Sequence, residues 1–211
     1  MDADTIWTTV ATERRHLADF LDGLAPDDWE RPSLCTEWRV RDVVAHVAWT
    51  PQPPGAWELL SAAVRHRFDF NAMNRDMAVE FAQQRPPAQL VDELRAYADL
   101  HRKPVVTTMD NLLFDTLVHV QDVVIPFGIE HTAAEAATTA ALDRVWAMGW
   151  PFHARRRLNG LRLVATDTGW NTGTGPVEVR GPAMALLLTM TGRPAAHAQL
   201  DGPGVAELAN R

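Results

Sequence analysis

Apolar residues recur every three or four positions along most of the first 150 residues, which is the spacing of one face of an α-helix. The first such run lies between Asp4 and Leu24, and Pro26 ends it. A second run begins near Arg39 and ends at the prolines that start with Pro51. The apolar positions of the first run are Ile6, Val10, Leu17, Phe20, Leu21 and Leu24.

The same periodicity predicts four more helices, separated by prolines, glycine and polar residues. We expect the helix predicted at Trp57 to Gln84 to bend around Phe70 and Asn71. The four helices are predicted at Trp57 to Gln84, Ala88 to Arg102, Thr108 to Val124 and Thr132 to Trp150.

The pattern changes after Pro151. Residues 161–165 alternate between apolar and polar as in a strand with one buried face, and Val177 to Arg180 is a candidate partner strand beyond a glycine-rich turn. A short helix is expected from Ala183 to Met190, and a final helical turn from Val205 to Arg211. The sequence therefore predicts a mainly α fold, with a helical bundle over residues 1–154 and a small α+β domain over residues 155–211.

The composition restricts the class of protein. The net charge is −7, which argues against the basic surface that nucleic-acid binding requires. The single cysteine, Cys35, excludes an intramolecular disulfide. Neither a basic and apolar leader nor an apolar run of about 18 residues is present. We therefore expect a soluble, cytoplasmic protein, either a monomer or a homodimer.

Arginine far outnumbers lysine among the basic residues. Of the 20 basic residues, only Lys103 is a lysine. Arginine codons are mostly GC-rich and lysine codons are A-rich, so we expect the chain to come from a bacterium with GC-rich DNA.

An aspartate and a histidine lie four positions apart on the helix predicted at 108–124. Asp115 and His119 therefore share one helix face, about 5–6 Å apart at Cβ. His46 lies on another predicted helix. Two imidazoles and one carboxylate suit a divalent metal, and three protein ligands leave a fourth position open, as in catalytic zinc sites. The core of a helical bundle is a usual place for such a site.

This interpretation has alternatives. A histidine on an apolar helix face is often a hydrogen-bonded core residue rather than a ligand. Asp42, four residues before His46, and Asp122, three residues after His119, could each accept the second imidazole N–H. Either aspartate could also bind the metal in place of Asp115, and Asp122 could equally be a solvated helix residue.

The stretch from Ser33 to His46, SLCTEWRVRDVVAH, resembles the N-terminal signature of the mycothiol-dependent maleylpyruvate isomerase family. That family belongs to the DinB-like, metal-binding four-helix bundles. The cysteine, the tryptophan, the Val-Arg-Asp step and the zinc-binding histidine of its signature fall on Cys35, Trp38, residues 40–42 and His46.

A second metal segment of the family, Glu-x3-His followed by an aspartate, is matched by Asp115, His119 and Asp122. Two departures are visible. Aspartate stands where the family usually has glutamate, and Thr36-Glu37 replaces the usual Pro-Gly, which should reshape the loop over the site. Residues 161–170, 181–183 and 191–193 are similar to the small, sterol-carrier-like C-terminal domain of the family.

The resemblance implies thiol chemistry. Zinc deprotonates a coordinated thiol, and the thiolate of mycothiol could then add to an electrophilic double bond of a small molecule. Later expulsion of the thiolate gives cis–trans isomerisation, and its retention gives mycothiol S-transfer. Trp38 is a candidate for binding the sugars of mycothiol, and Arg193 a candidate for binding a substrate carboxylate during catalysis. Because the reacting thiol belongs to the cofactor, Cys35 is not predicted to be the nucleophile.

Two other functions remain open from the sequence. The same bundle could hold a metal-dependent hydrolase, in which a metal-bound water is the nucleophile. Alternatively, the chain could be a non-enzymatic, stress-associated protein that binds a metal or an apolar ligand.

Overall fold

The computed structural model describes residues 1–53, 55–67 and 69–209. Within these residues, no helix combines the length and the apolarity needed to cross a lipid bilayer. The longer helices are α1 (Ala3–Leu21), α2 (Val40–Trp49), α3 (Ala56–Arg65), α4 (Phe70–Gln83), α5 (Pro87–Ala96), α6 (Met109–Val124) and α7 (Glu135–Ala147). Three shorter ones follow, namely α8 (Ala154–Arg157), α9 (Ala183–Met190) and α10 (Val205–Leu208).

Helix α2 begins and ends where local chemistry requires it. The carboxylate of Asp42 accepts a hydrogen bond from the backbone N–H of Arg39 at 3.0 Å, which satisfies a donor that the helix start leaves unpaired. Pro51 lies two residues beyond the last helical residue, Trp49. Helix α2 is buried over most of its length and packs against α4 and α5.

The helix predicted from Trp57 to Gln84 is two helices rather than one bent helix. Helix α3 ends at Arg65, and Asp69 starts α4 by accepting hydrogen bonds from the backbone N–H groups of Asn71 and Ala72. An aspartate that caps a new helix competes with continuation of the preceding one. The interruption therefore replaces the expected bend; Phe68 lies outside the described residues.

Helix α6 is buried on nearly all sides. Residues 112–114 and 116–124 are buried, and Asp115 is half-buried. A helix without a solvated face belongs to the interior, so polar side chains on it are removed from bulk water.

The C-terminal strands form a three-stranded sheet in the order β2-β1-β3, with β1 at Leu161–Ala165, β2 at Asn171–Thr172 and β3 at Val177–Gly181. Strands β1 and β3 pair in parallel, with Leu163 opposite Val179. This confirms the partner strand predicted at Val177 to Arg180. The short β2 lies in the glycine-rich stretch that was predicted only as a turn, and it pairs antiparallel with β1. Helix α9 packs against this sheet and against α7.

The chain is mainly α-helical, with an N-terminal helical bundle followed by a small α+β part, as predicted. Its contacts divide it into two compact units. One unit comprises Trp7–Thr108 and His119–His131, and the other comprises Met1–Ile6, Met109–Val118 and Thr132–Arg211. The predicted boundary between residues 154 and 155 stays a prediction. The final helical turn was predicted at Val205 to Arg211, and residues 210 and 211 lie outside the described residues.

Candidate metal centre

The structure brings the three predicted metal ligands together. His46 lies on α2, and Asp115 and His119 lie one turn apart on α6. Each of the three offers one ligand atom, and these atoms all lie within 4.8 Å of one another. Both histidines are buried, and the aspartate is half-buried. The helical spacing explains why Asp115 and His119 are neighbours, whereas the proximity of His46 follows from helix packing.

The two imidazoles and a tryptophan form a compact aromatic group. The rings of His46 and His119 have centroids 4.9 Å apart and planes at 71°. Trp38 stacks on His119 at 5.8 Å with planes 7° apart, and meets the edge of His46 at 5.4 Å. Trp38 itself is buried. The residue predicted to bind mycothiol therefore lies directly against two of the predicted metal ligands.

Asp122 holds His119 in one orientation. Its carboxylate Oδ2 lies 2.9 Å from Nδ1 of His119, and the aspartate is fully buried. A carboxylate on Nδ1 keeps the proton there and leaves Nε2 as the nitrogen that can bind a metal. Of the two aspartates predicted as possible imidazole partners, Asp122 has this role, and its alternative as a solvated residue is wrong.

Asp42 has a different partner. Both oxygens of its carboxylate accept hydrogen bonds from the guanidinium of Arg39 at 2.8 Å, rather than from His46. These hydrogen bonds raise the pKa of Arg39 above its ordinary value, and Glu30 adds a second ion pair to the same guanidinium. Asp42 therefore stabilises the start of α2 instead of orienting its histidine.

The loop before α2 is tied to α6. The N–H of Leu34 donates to the backbone carbonyl of Asp122 at 3.1 Å, and Ser33 Oγ donates to the carbonyl of Trp38 at 2.9 Å. Glu37 takes a φ of 66°, in the left-handed region that glycine adopts without strain. At the position where the family usually has glycine, the backbone thus keeps a glycine-type conformation although the residue is glutamate.

Arg193 precedes the 3₁₀ turn Pro194–Gln199 in the C-terminal part of the chain. Its guanidinium is buried, and Nη1 donates to the carbonyl of Thr191 at 2.7 Å. Its predicted contact with a substrate carboxylate stays a prediction.

A second group of possible ligands, Glu13, His16 and His131, escaped the sequence analysis. Glu13 and His16 lie three positions apart on α1, but His131 is more than a hundred residues away in a stretch without helical periodicity. Since no local spacing relates the third residue to the first two, the sequence carries no signal for this group.

Part of the sequence matches a known family, and the fold matches a known enzyme. Residues 10–105 match the family model of the mycothiol maleylpyruvate isomerase N-terminal domain. The fold is similar to two crystal structures of a mycothiol-dependent maleylpyruvate isomerase, one of them a mutant. For both structures the TM-score is 0.58 at 14% sequence identity, covering 96% of this chain and 93% of the other. No curated protein matches the chain in sequence.

The matched segment contains His46 and Trp38, and the structural likeness extends over nearly the whole chain. Residues 10–105 of the chain are therefore similar to the mycothiol maleylpyruvate isomerase N-terminal domain, and the chain has the fold of a mycothiol-dependent maleylpyruvate isomerase.

Proposed function

We propose that the chain is a metal-dependent enzyme that uses mycothiol to act on a small electrophilic molecule, by cis–trans isomerisation or by S-transfer. The observation that carries this proposal is the convergence of His46, Asp115 and His119, with ligand atoms within 4.8 Å of one another. The match of residues 10–105 to the family model supports the thiol, and the ligand set supports the metal.

The three side chains fit a divalent ion such as zinc. Around a tetrahedral zinc ion with bonds of about 2.1 Å, neighbouring ligand atoms are about 3.4 Å apart. Atoms already within 4.8 Å reach that spacing by small side-chain rotations. A bound zinc ion would supply the acidity that keeps a coordinated thiol in its thiolate form.

The remaining residues of the site orient the metal ligands and shield them from water. Asp122 orients His119 through Nδ1, which leaves Nε2 as the nitrogen available to a metal. Trp38 covers both imidazoles with an apolar ring and keeps water away from one side of them. We assign to Trp38 a contact with mycothiol, and to Arg193 the binding of a substrate carboxylate.

The metal is tested first, by elemental analysis of protein purified without added chelator. We expect about one zinc ion per chain at this centre, and its loss in His46→Ala and in His119→Ala. His101→Ala serves as the matched control, because His101 is an exposed histidine outside both candidate ligand groups. Metal retained in full by His46→Ala contradicts the proposed centre.

The thiol is tested by turnover of electrophilic substrates such as maleylpyruvate, with and without mycothiol. We expect turnover to require mycothiol and to vanish in His46→Ala and His119→Ala. Turnover that needs the metal but not the thiol would identify a hydrolase instead. A dependence on reduced mycothiol also accords with the cytoplasmic location that we propose for this protein.

A further inference from the structure

Glu13, His16 and His131 form a second cluster of metal-binding side chains, apart from the three ligands already described. One possible ligand atom from each lies within 4.8 Å of the other two. Nε2 of His131 is 2.6 Å from Oε2 of Glu13, and the rings of His16 and His131 meet edge to face with centroids 5.6 Å apart. The cluster therefore joins α1 to the segment that precedes α7.

The burial of the three residues suits an ion that enters from solvent. Glu13 is 4% exposed, and a buried carboxylate is costly unless a positive charge faces it. His131 is half-buried and His16 is exposed, so the cluster has a closed side at the glutamate and an open side at His16.

A hydrogen bond from α6 fixes the backbone of His131. Its backbone carbonyl accepts a hydrogen bond from Nε2 of Gln121 at 2.8 Å, and Gln121 is a buried residue of α6. Glu13 and His16 are three positions apart on α1, so they share one helix face. Two helices thus fix the approach of the three side chains.

We propose that Glu13, His16 and His131 bind a second divalent metal ion, of the borderline class that includes Zn²⁺. The donors are two imidazoles and one carboxylate, a set that zinc takes in proteins with a fourth position left for water. The ion would take the place of the hydrogen bond between Glu13 and His131 and would connect α1 to the segment before α7. This proposal does not depend on the proposed function.

The test titrates the metal-free full-length chain with Zn²⁺ by calorimetry and with Co²⁺ by visible absorption, which reports the coordination geometry. We expect two ions per chain in the unmodified protein and one in His16→Ala. His46→Ala should keep the ion at the second site, and His101→Ala should bind both. Since His16 is exposed, its replacement leaves the fold intact, and thermal unfolding of the metal-free variant checks this.

Glu13→Gln provides an isosteric second variant and should weaken binding at this site at least tenfold, since loss of an outer-sphere partner alone costs about 10–100-fold. Zn²⁺ should also raise the Tm of His46→Ala but not of the double variant His46→Ala/His16→Ala. Unchanged binding in both His16→Ala and Glu13→Gln overturns the second site. If the unmodified chain binds only one ion, and that ion is lost in His16→Ala but kept in His46→Ala, the proposed function is overturned instead.

Discussion

Asp42 and Asp122 each lie three or four residues from a histidine of the candidate metal centre, and each is buried. The carboxylate of Asp122 reaches the ring of His119, whereas that of Asp42 holds the guanidinium of Arg39. The difference follows from position, since Asp42 is in the first turn of α2, where an acidic side chain turns back to the unpaired N–H groups.

Replacing each aspartate by asparagine separates the two roles. Asp122→Asn should weaken zinc binding at the centre about 10–100-fold, because the imidazole loses the acceptor that fixes its tautomer. Asp42→Asn should leave zinc affinity unchanged and lower the free energy of unfolding by about 1–2 kcal/mol, because the buried side chain loses the charge that pairs with Arg39 and part of a helix cap. Zinc titration and denaturant unfolding of both variants check this; equal losses of zinc affinity would contradict it.

The left-handed backbone of Glu37 makes a second prediction. Glu37→Gly should raise the free energy of unfolding by about 0.5–1 kcal/mol, because glycine takes this conformation without strain. The ion pair with Arg75 that is lost is exposed and contributes little. Thr36→Gly is the matched control and should lower stability, since its backbone does not need glycine. Stabilisation by both changes, or by neither, would contradict the argument.

At the level of elements, the small sheet depends on a close approach of two backbone segments. A Cβ at Gly175 would collide with the carbonyl oxygen of Gly160 and lie 2.6 Å from the backbone nitrogen of Leu161, the first residue of β1. A Cβ at Gly169, in the loop before β2, would meet nothing within 4 Å.

Gly175→Ala should therefore lower the free energy of unfolding by about 1–3 kcal/mol, because the start of β1 must shift to admit the methyl group. Gly169→Ala should change stability by less than about 0.5 kcal/mol. Denaturant melts of the two variants provide the measurement. A Gly175→Ala protein as stable as the unmodified chain would show that the two segments are not in close contact.

At the scale of the whole molecule, stability depends on pH through groups whose pKa changes on folding. Burial, reinforced by the charge of Arg157, lowers the pKa of His197 below its ordinary value of 6.5. The folded chain therefore binds this proton less readily than the unfolded chain does. The resulting stability is present above pH 6.5 and is lost as the pH falls through the folded-state pKa.

Replacing this histidine by a residue that does not titrate should flatten the pH dependence. The free energy of unfolding of metal-free His197→Gln should fall less steeply between pH 7 and pH 5 than that of the unmodified metal-free chain. Urea unfolding at several pH values gives both curves. Identical slopes would show that His197 does not contribute.

The sequence by itself determined what depends on neighbours along the chain. The apolar spacing and the prolines placed α2 and α6, and the four-residue spacing put Asp115 and His119 on one helix face, because helical geometry is local. Alternation likewise identified β1. Even there, the capping by Asp69 that divides α3 from α4 was not anticipated.

Only the tertiary structure decided which distant residues meet. It brought His46 beside His119, stacked Trp38 on that imidazole, and gave the orienting role to Asp122 rather than Asp42. It also assembled Glu13, His16 and His131. Contacts between helices depend on how the side chains of both pack together, and no spacing within one segment encodes that arrangement.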